Sequence, residues 1–217
     1  MLLGSGALLG VVGNVFHPVL DPGLSTQAFL DAVHAAPWWR ALHLLITLSV
    51  VLLTAGLVLL ARRLVSPPGG DAARVTAVLA LIGGTLFVAV IGAVDGAAMS
   101  ALADVSAGAP GQDVIVAAAA GLRAMDNGLL SLVVALFMGG TFVALGAALR
   151  AGTSFGAWLR WSSLVIGGAG IGTGTLMFLG VAAEFTNYTF RVVALGVTVV
   201  ALALAIQVLR LGPSSRH

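Results

Sequence analysis

Apolar stretches alternate with short polar segments along the whole chain. A helix needs about 20 apolar residues to cross the hydrocarbon core of a bilayer. Five runs meet that length cleanly: Ala41–Ala61 between Arg40 and Arg62, Val75–Val94 with apolar character continuing to Ala103, Leu129–Leu149 before Arg150, Trp161–Ala183 after Arg160, and Val192–Leu209 between Arg191 and Arg210. The first run, Met1–Phe16, is short; it extends to Leu20 or starts upstream of Met1. It has no basic leader and no clear small-residue cleavage site, so it reads as a retained span and not a signal peptide. The pattern predicts an all-α integral membrane bundle of six transmembrane helices in one polytopic domain, residues 1–217, with spans near 1–20, 38–61, 75–103, 125–149, 160–183 and 190–210. The connections are short. Ser66-Pro67-Pro68-Gly69-Gly70 and Gly108-Ala109-Pro110-Gly111 are turn signals. Asp113–Ala124 either prolongs the fourth helix or lies along the interface, and residues 21–37 form the longest outer connection.

Composition supports lipid as the main solvent. The chain is 59% apolar and 8% charged, against about 25% charged in soluble domains. Its basic residues are all arginine and are spread over loops and helix ends, a distribution that does not fit nucleic-acid binding. The absence of cysteine excludes disulfides, thiolate nucleophiles, iron–sulfur clusters and thiolate zinc sites.

The charges are sorted by side. Alternate gaps hold Arg62, Arg63, Arg74, Arg150, Arg160, Arg210 and Arg216 against Asp71 alone. The other gaps hold Asp21, Asp31, Asp95, Asp104, Asp113, Asp126 and Glu184 with Arg40, Arg123 and Arg191. Basic loops stay cytoplasmic. The expected arrangement is therefore three outward-pointing hairpins in the cell membrane with both termini inside. Trp38 and Trp39 open the second span, and Trp158 and Trp161 open the fifth, at interface positions that favour an amphipathic indole.

Several glycines fall four apart: Gly6 and Gly10, Gly92 and Gly96, Gly168 and Gly172, Gly170 and Gly174. Small residues at this spacing let helix backbones approach closely. The fifth span should accordingly be buried among other helices or form a contact with another copy or a membrane partner. A phosphate-binding glycine loop is excluded, because no strand precedes these glycines and no Lys-Ser/Thr follows them.

Ionisable residues in a membrane are functional candidates by default, but pairing removes many of them. Asp95 and Arg123 are equally spaced about the turn of the second hairpin, and Glu184 and Arg191 about a turn centred at Asn187 and Tyr188. Arg40 has Asp21 and Asp31 in its own loop. Structural ion pairs Asp95–Arg123 and Glu184–Arg191 are the expectation. His17, His43 and Asp126 remain, with Asn127 beside Asp126; His43 lies five residues below Trp38, and His17 looks shallower. If the first hairpin packs closely, the two histidines face one another. The reading that needs least is that each histidine bonds a carbonyl or carboxylate at a helix end. The sharper alternative is a haem or divalent-metal site built from His17 and His43, completed by Asp126 or Glu184, since imidazole and carboxylate suit zinc, iron or manganese. No His-x-x-x-His spacing is present, and the span serines and threonines fit bonding to their own i−4 carbonyls better than nucleophilic catalysis.

Asn14 to His43 carries His17-Pro18, Trp38-Trp39 and Ala41-Leu42-His43. It resembles uncharacterised multi-pass membrane proteins of high-GC actinobacteria. The resemblance covers about 30 residues and implies a polytopic fold without a reaction. Three functional classes follow from the residues: a ligand-binding, sensing or transport protein with an outward polar pocket; a metal- or haem-binding oxidoreductase or hydrolase; or a structural subunit of a membrane complex.

Overall fold

A backbone surrounded by lipid has to satisfy its N–H and C=O groups internally, and a helix does this within one segment. In the computed structural model each apolar run is helical. The structure describes residues 1–18, 20–21, 23–65, 68–107, 111–151, 155–181 and 183–211. Ser66, Pro67, Gly108, Ala109, Pro110, Arg216 and His217 of the sequence reading lie outside them. We label the helices α1 (Leu2–Phe16), α2 (Thr26–His34), α3 (Trp39–Arg63), α4 (Gly70–Ser106), α5 (Gln112–Arg150), α6 (Ala157–Phe178) and α7 (Ala183–Arg210). Among the described residues α3, α4, α5 and α7 are long and apolar enough to cross a membrane. α1 is apolar but shorter, and glycine and serine dilute the hydropathy of α6.

α4 and α5 run for 37 and 39 residues, about 55 Å and 58 Å at 1.5 Å per residue. Both exceed the ~30 Å hydrocarbon core. Asp113–Ala124 thus prolongs the helix and does not form a separate surface segment. Against the end of α4, and more lightly against this extension, rests α2, inside what the sequence presents as a loop. Ser25 caps it by accepting from the amide of Ala28, and its Leu30 and Val33 pack with Trp39, Ala103 and Ala119 in a small apolar cluster.

Glycine sets the distances between helices. α1 lies antiparallel on α3. A Cβ at Gly6 would stand 2.6 Å from the amide nitrogen of Leu53, one at Gly10 2.8 Å from Ser49 Oγ, and one at Gly13 2.6 Å from Ile46 Cγ1. The Ser49 hydroxyl also donates to the Gly6 carbonyl across this seam at 2.8 Å. α4 lies on the other side of α3, with Gly84 against Thr54, Gly92 against Thr47 and Gly96 against His43. α6 uses Gly167, Gly170 and Gly174 against Val143, Gly139 and Ala135 of α5, while Gly168 and Gly172 meet nothing and face outward. The fifth apolar run is therefore half packed within the chain and half exposed. Phe87, Phe137, Phe142, Leu145, Val197 and Leu204 belong to the central core.

Two stretches depart from the α ladder: Ala89–Ala98 in α4 and Val134–Gly140 in α5 are π-helical. Their i→i+5 bonding shifts the phase of everything that follows. The last hairpin also turns earlier than the sequence reading placed it. α6 ends at Phe178, and Gly180 just beyond it, with a φ of +69°, closes it in the left-handed conformation. Gly180 donates to Met177 and Val181 to Leu176, the paired closure of a glycine-terminated helix. Asn187 and Tyr188 are consequently inside α7 and do not form a turn.

The glycine seams predict a sharp contrast. Gly6→Val should lower the melting temperature of the detergent-solubilised protein by an amount matching ~1–3 kcal/mol of overpacking, because backbone atoms of α3 block the new side chain. Gly168→Ala, facing open space, should be neutral or stabilising through helix propensity. Equal effects of the two substitutions in thermal unfolding would contradict the seam.

Candidate functional site

The α1–α3 seam advances step by step to its open end, where it brings His17 opposite His43. Their Nε2 atoms are 3.4 Å apart. On the other side of α3, the π-helical segment of α4 turns Asp95 to the same point, with Asp95 Oδ2 3.3 Å from His43 Nε2. One donor atom from each of His17, His43 and Asp95 lies within 4.8 Å of the other two. His43 is fully buried, and His17 and Asp95 are half-buried. The depth difference expected for the two histidines is absent, because the close approach of α1 lets their rings meet at one level.

The tautomers follow from the outer hydrogen bonds. His43 Nδ1 is 2.8 Å from the carbonyl of Trp39, and His17 Nδ1 is 3.0 Å from that of Pro18. A carbonyl only accepts, so each Nδ1 carries the proton and donates it. In the singly protonated form each ring then presents its Nε2 lone pair inward. Two imidazole lone pairs and a carboxylate oxygen face one another, and all three are acceptors. A buried acceptor without a donor costs about 1–3 kcal/mol, and His43 is the fully buried member of the three. A cation at the shared point relieves all three at once.

Trp39 holds the three residues in place. Its indole stacks on His43 at 4.5 Å between centroids and 29° between planes, and lies 5.5 Å from the His17 ring. Its Nε1 donates to the Asp95 carbonyl at 2.9 Å, and Phe29 of α2 packs edge-on against it. Trp39 is buried, whereas Trp38, Trp158 and Trp161 are exposed. The interface role read for this pair of tryptophans thus describes Trp38, while Trp39 belongs to the site. Only its neighbour's exposure distinguishes them, which a run of two indoles does not reveal.

The ion pairs expected within each hairpin are not the ones formed. Asp95 turns its Oδ2 to His43 Nε2 and not to Arg123. Arg123 instead donates to the Leu24 carbonyl at 3.2 Å and lies over the Phe29 ring at 4.6 Å. Asp95 and Arg123 match in depth, but the π segment rotates Asp95 toward α3. Glu184 and Arg191 both stand on α7, seven residues apart on one helix, and make no ion pair among the described residues. Glu184 is exposed in the first turn of α7 and is not in the histidine group. A carboxylate there suits the positive end of the helix. Arg40 pairs with Asp104 at 2.7 Å, across hairpins, and not with Asp21 or Asp31. Asp31 accepts from Gln27.

Asp126 occupies the rim of the site. It is within electrostatic range of Asp95 and His43 but outside the three-residue group. Its buried Oδ1 has no hydrogen-bond partner among the described residues. Asn127 points away from the histidines, into a separate cleft with Leu20, Arg123 and Asn187. Asp95 is the site residue that sequence reasoning missed. Its signal was the Gly92/Gly96 pair around it, which marks the face of α4 that touches α3.

The bonding pattern predicts one tautomer for two of the histidines. In metal-free protein with ¹⁵N-labelled histidine, His17 and His43 should show protonated Nδ1 and bare Nε2 by NMR. Trp39→Phe should broaden or shift both signals, because it removes the bond to Asp95. An Nε2–H signal assigned to either ring would rule out the arrangement.

No known protein family matches the chain, and no curated protein and no solved structure is similar to it.

Proposed function

We propose that the chain is a six-span membrane protein that binds one divalent metal ion, zinc by preference, through His17, His43 and Asp95, and uses it for metal-assisted hydrolysis. The observation that carries this reading is the spacing of the donor atoms. Ligands about 2.0–2.1 Å from a tetrahedral zinc ion stand about 3.3–3.4 Å from each other. The Nε2–Nε2 and His43 Nε2–Asp95 Oδ2 distances are 3.4 and 3.3 Å, and the third pair, His17 with Asp95, lies within 4.8 Å. A six-coordinate ion with similar bonds would draw neighbouring ligands to about 3.0 Å. The Nδ1–carbonyl bonds supply the outer partners that orient metal-binding imidazoles. Haem fits poorly. Its two axial nitrogens stand on opposite faces of a macrocycle, and here Asp95 shares the same nitrogen's neighbourhood and Trp39 covers the ring.

Three protein ligands with a remaining open position is the pattern of a catalytic zinc site. Bound in this way, a zinc ion lowers the pKa of its water to near 7 and polarises a carbonyl or phosphoryl oxygen. Asp126, outside the group and with a buried carboxylate oxygen that has no partner among the described residues, is the carboxylate we assign to accept a proton. The charge sorting supports an orientation with both termini cytoplasmic and the metal site at the outer end. The third and fifth polar–apolar boundaries carry Arg74 and Arg160 on the opposite side.

Metal analysis of the purified protein should find about one zinc per chain after zinc loading and removal of excess. Asp95→Asn and His43→Gln should weaken binding by more than the roughly 10–100-fold cost of losing an outer partner. Glu184→Gln and Asp126→Asn should leave the stoichiometry unchanged. Cobalt(II) loading should give the strong visible absorption of a four-coordinate centre. Wild-type zinc affinity in both Asp95→Asn and His43→Gln would sink the proposal.

A further inference from the structure

We infer that the cleft between α1 and α7 is a lateral entrance through which an anionic single-chain amphiphile from the bilayer reaches the His17–His43–Asp95 site. Its acyl chain lies in the apolar chamber, and its headgroup is held by Arg191. The inference rests on the metal reading only in making this amphiphile the substrate class.

Three observations meet here. The first is the chamber, a cavity of ≈ 200 Å³ with His17 and Asp95 at one end and Leu53, Phe87, Phe137, Met138 and Val197 further in. Leu53 is ten residues along α3 from His43, about 15 Å deeper at 1.5 Å per residue. Beyond His17, Asp95, Asn14, Ser49 and Thr198 the lining is apolar, which suits a hydrocarbon chain.

The second is the opening. α1 and α7 touch near Gly4 and Ala205, where a Cβ at Gly4 would be 3.3 Å from the alanine methyl. Toward the histidine end they part into a cleft of ≈ 290 Å³. This cleft shares Gly10, Asn14, His17, Phe190, Ala194 and Thr198 with the chamber. Its outer lips are Val11, Val15 and Leu195, which are exposed apolar side chains. The path to the site therefore opens sideways, onto the surface that faces lipid.

The third is charge. Arg191 is exposed, lines the cleft and makes no ion pair among the described residues. Its neighbour in sequence expectation, Glu184, lies two turns away. A guanidinium at the mouth of an apolar slot matches a carboxylate or phosphate attached to an acyl chain, because it offers planar paired donors to either oxyanion. In a substrate whose headgroup is joined to the chain through an ester or phosphoester, that joint then falls beside His17, next to the open metal position.

The test is photolabelling of the full-length protein in nanodiscs with a diazirine-tagged palmitate, with adducts mapped by mass spectrometry. Adducts should concentrate on chamber residues of α1, α3 and α7. Arg191→Gln, an exposed change that leaves the packing alone, should reduce labelling about tenfold, and the matching diazirine-tagged hexadecanol should label wild type about tenfold less than palmitate. Ala194→Trp should block the neck and abolish labelling while zinc content stays at the wild-type level. Labelling scattered over the exposed helix faces, and unchanged in Ala194→Trp, would mean surface lipid only and overturn the inference. Equal labelling by palmitate and hexadecanol, or no effect of Arg191→Gln, would overturn the headgroup assignment. Labelling is read on zinc-loaded and chelator-treated protein. A protein that binds zinc but does not label defeats this inference alone, and one that labels without binding zinc defeats the metal reading alone.

Discussion

Contact between backbones along α3 governs the rest of the molecule. On one flank Gly6, Gly10 and Gly13 of α1 meet Leu53, Ser49 and Ile46; on the other, Gly84, Gly92 and Gly96 of α4 meet Thr54, Thr47 and His43. Lipid offers helices no hydrophobic reason to associate, so contact of this kind has to hold them through dispersion and polar bonds such as Ser49 to Gly6. The same contact fixes registry. An ordinary side chain at Gly13 or Gly96 would push α1 or α4 outward, and His17 or Asp95 would no longer reach His43. The site is thus a consequence of how closely three helices pack.

Around that constraint the structure arranges its polar groups in layers. Nε2 of both histidines and an Asp95 oxygen face inward, while both Nδ1 atoms are tied to carbonyls. Trp39 joins the rings to the Asp95 backbone, and α2 closes over Trp39 through Phe29 and Leu30. Burial makes each of these bonds matter more, since a buried polar group without a partner is costly. A centre held from several sides is stiff, and the one side left open is the apolar chamber. Firmly held side chains beside an apolar slot are what the proposed division between holding a metal and admitting a chain requires.

Much of the frame was legible because hydrophobic length is a one-dimensional signal. The apolar runs beginning near Ala41, Val75, Leu129, Trp161 and Val192 all became helix, and His17 and His43 were singled out as residues without an evident partner. Asp95 was not, since symmetry about a turn pairs residues by depth and says nothing about rotation. The π segment Ala89–Ala98 supplies that rotation, and it has no sequence signature that a 3.6-residue period would reveal. Glu184 failed for a related reason. α6 ends at Phe178, five residues before the apolar run does, so Glu184 lies in the first turn of α7 and does not face Arg191 across a turn.

Composition and order along the chain determine the solvent, the helices, the absence of thiolate chemistry and the sorting of arginine from acid, because each depends on local content. Which side chains meet was decided only in three dimensions. Arg40 found Asp104, Arg123 found Leu24 and Phe29, and Asp95 found His43. Those choices depend on helix phase and on distances of a few tenths of an ångström between glycine-lined backbones, and neither is a property of any single segment.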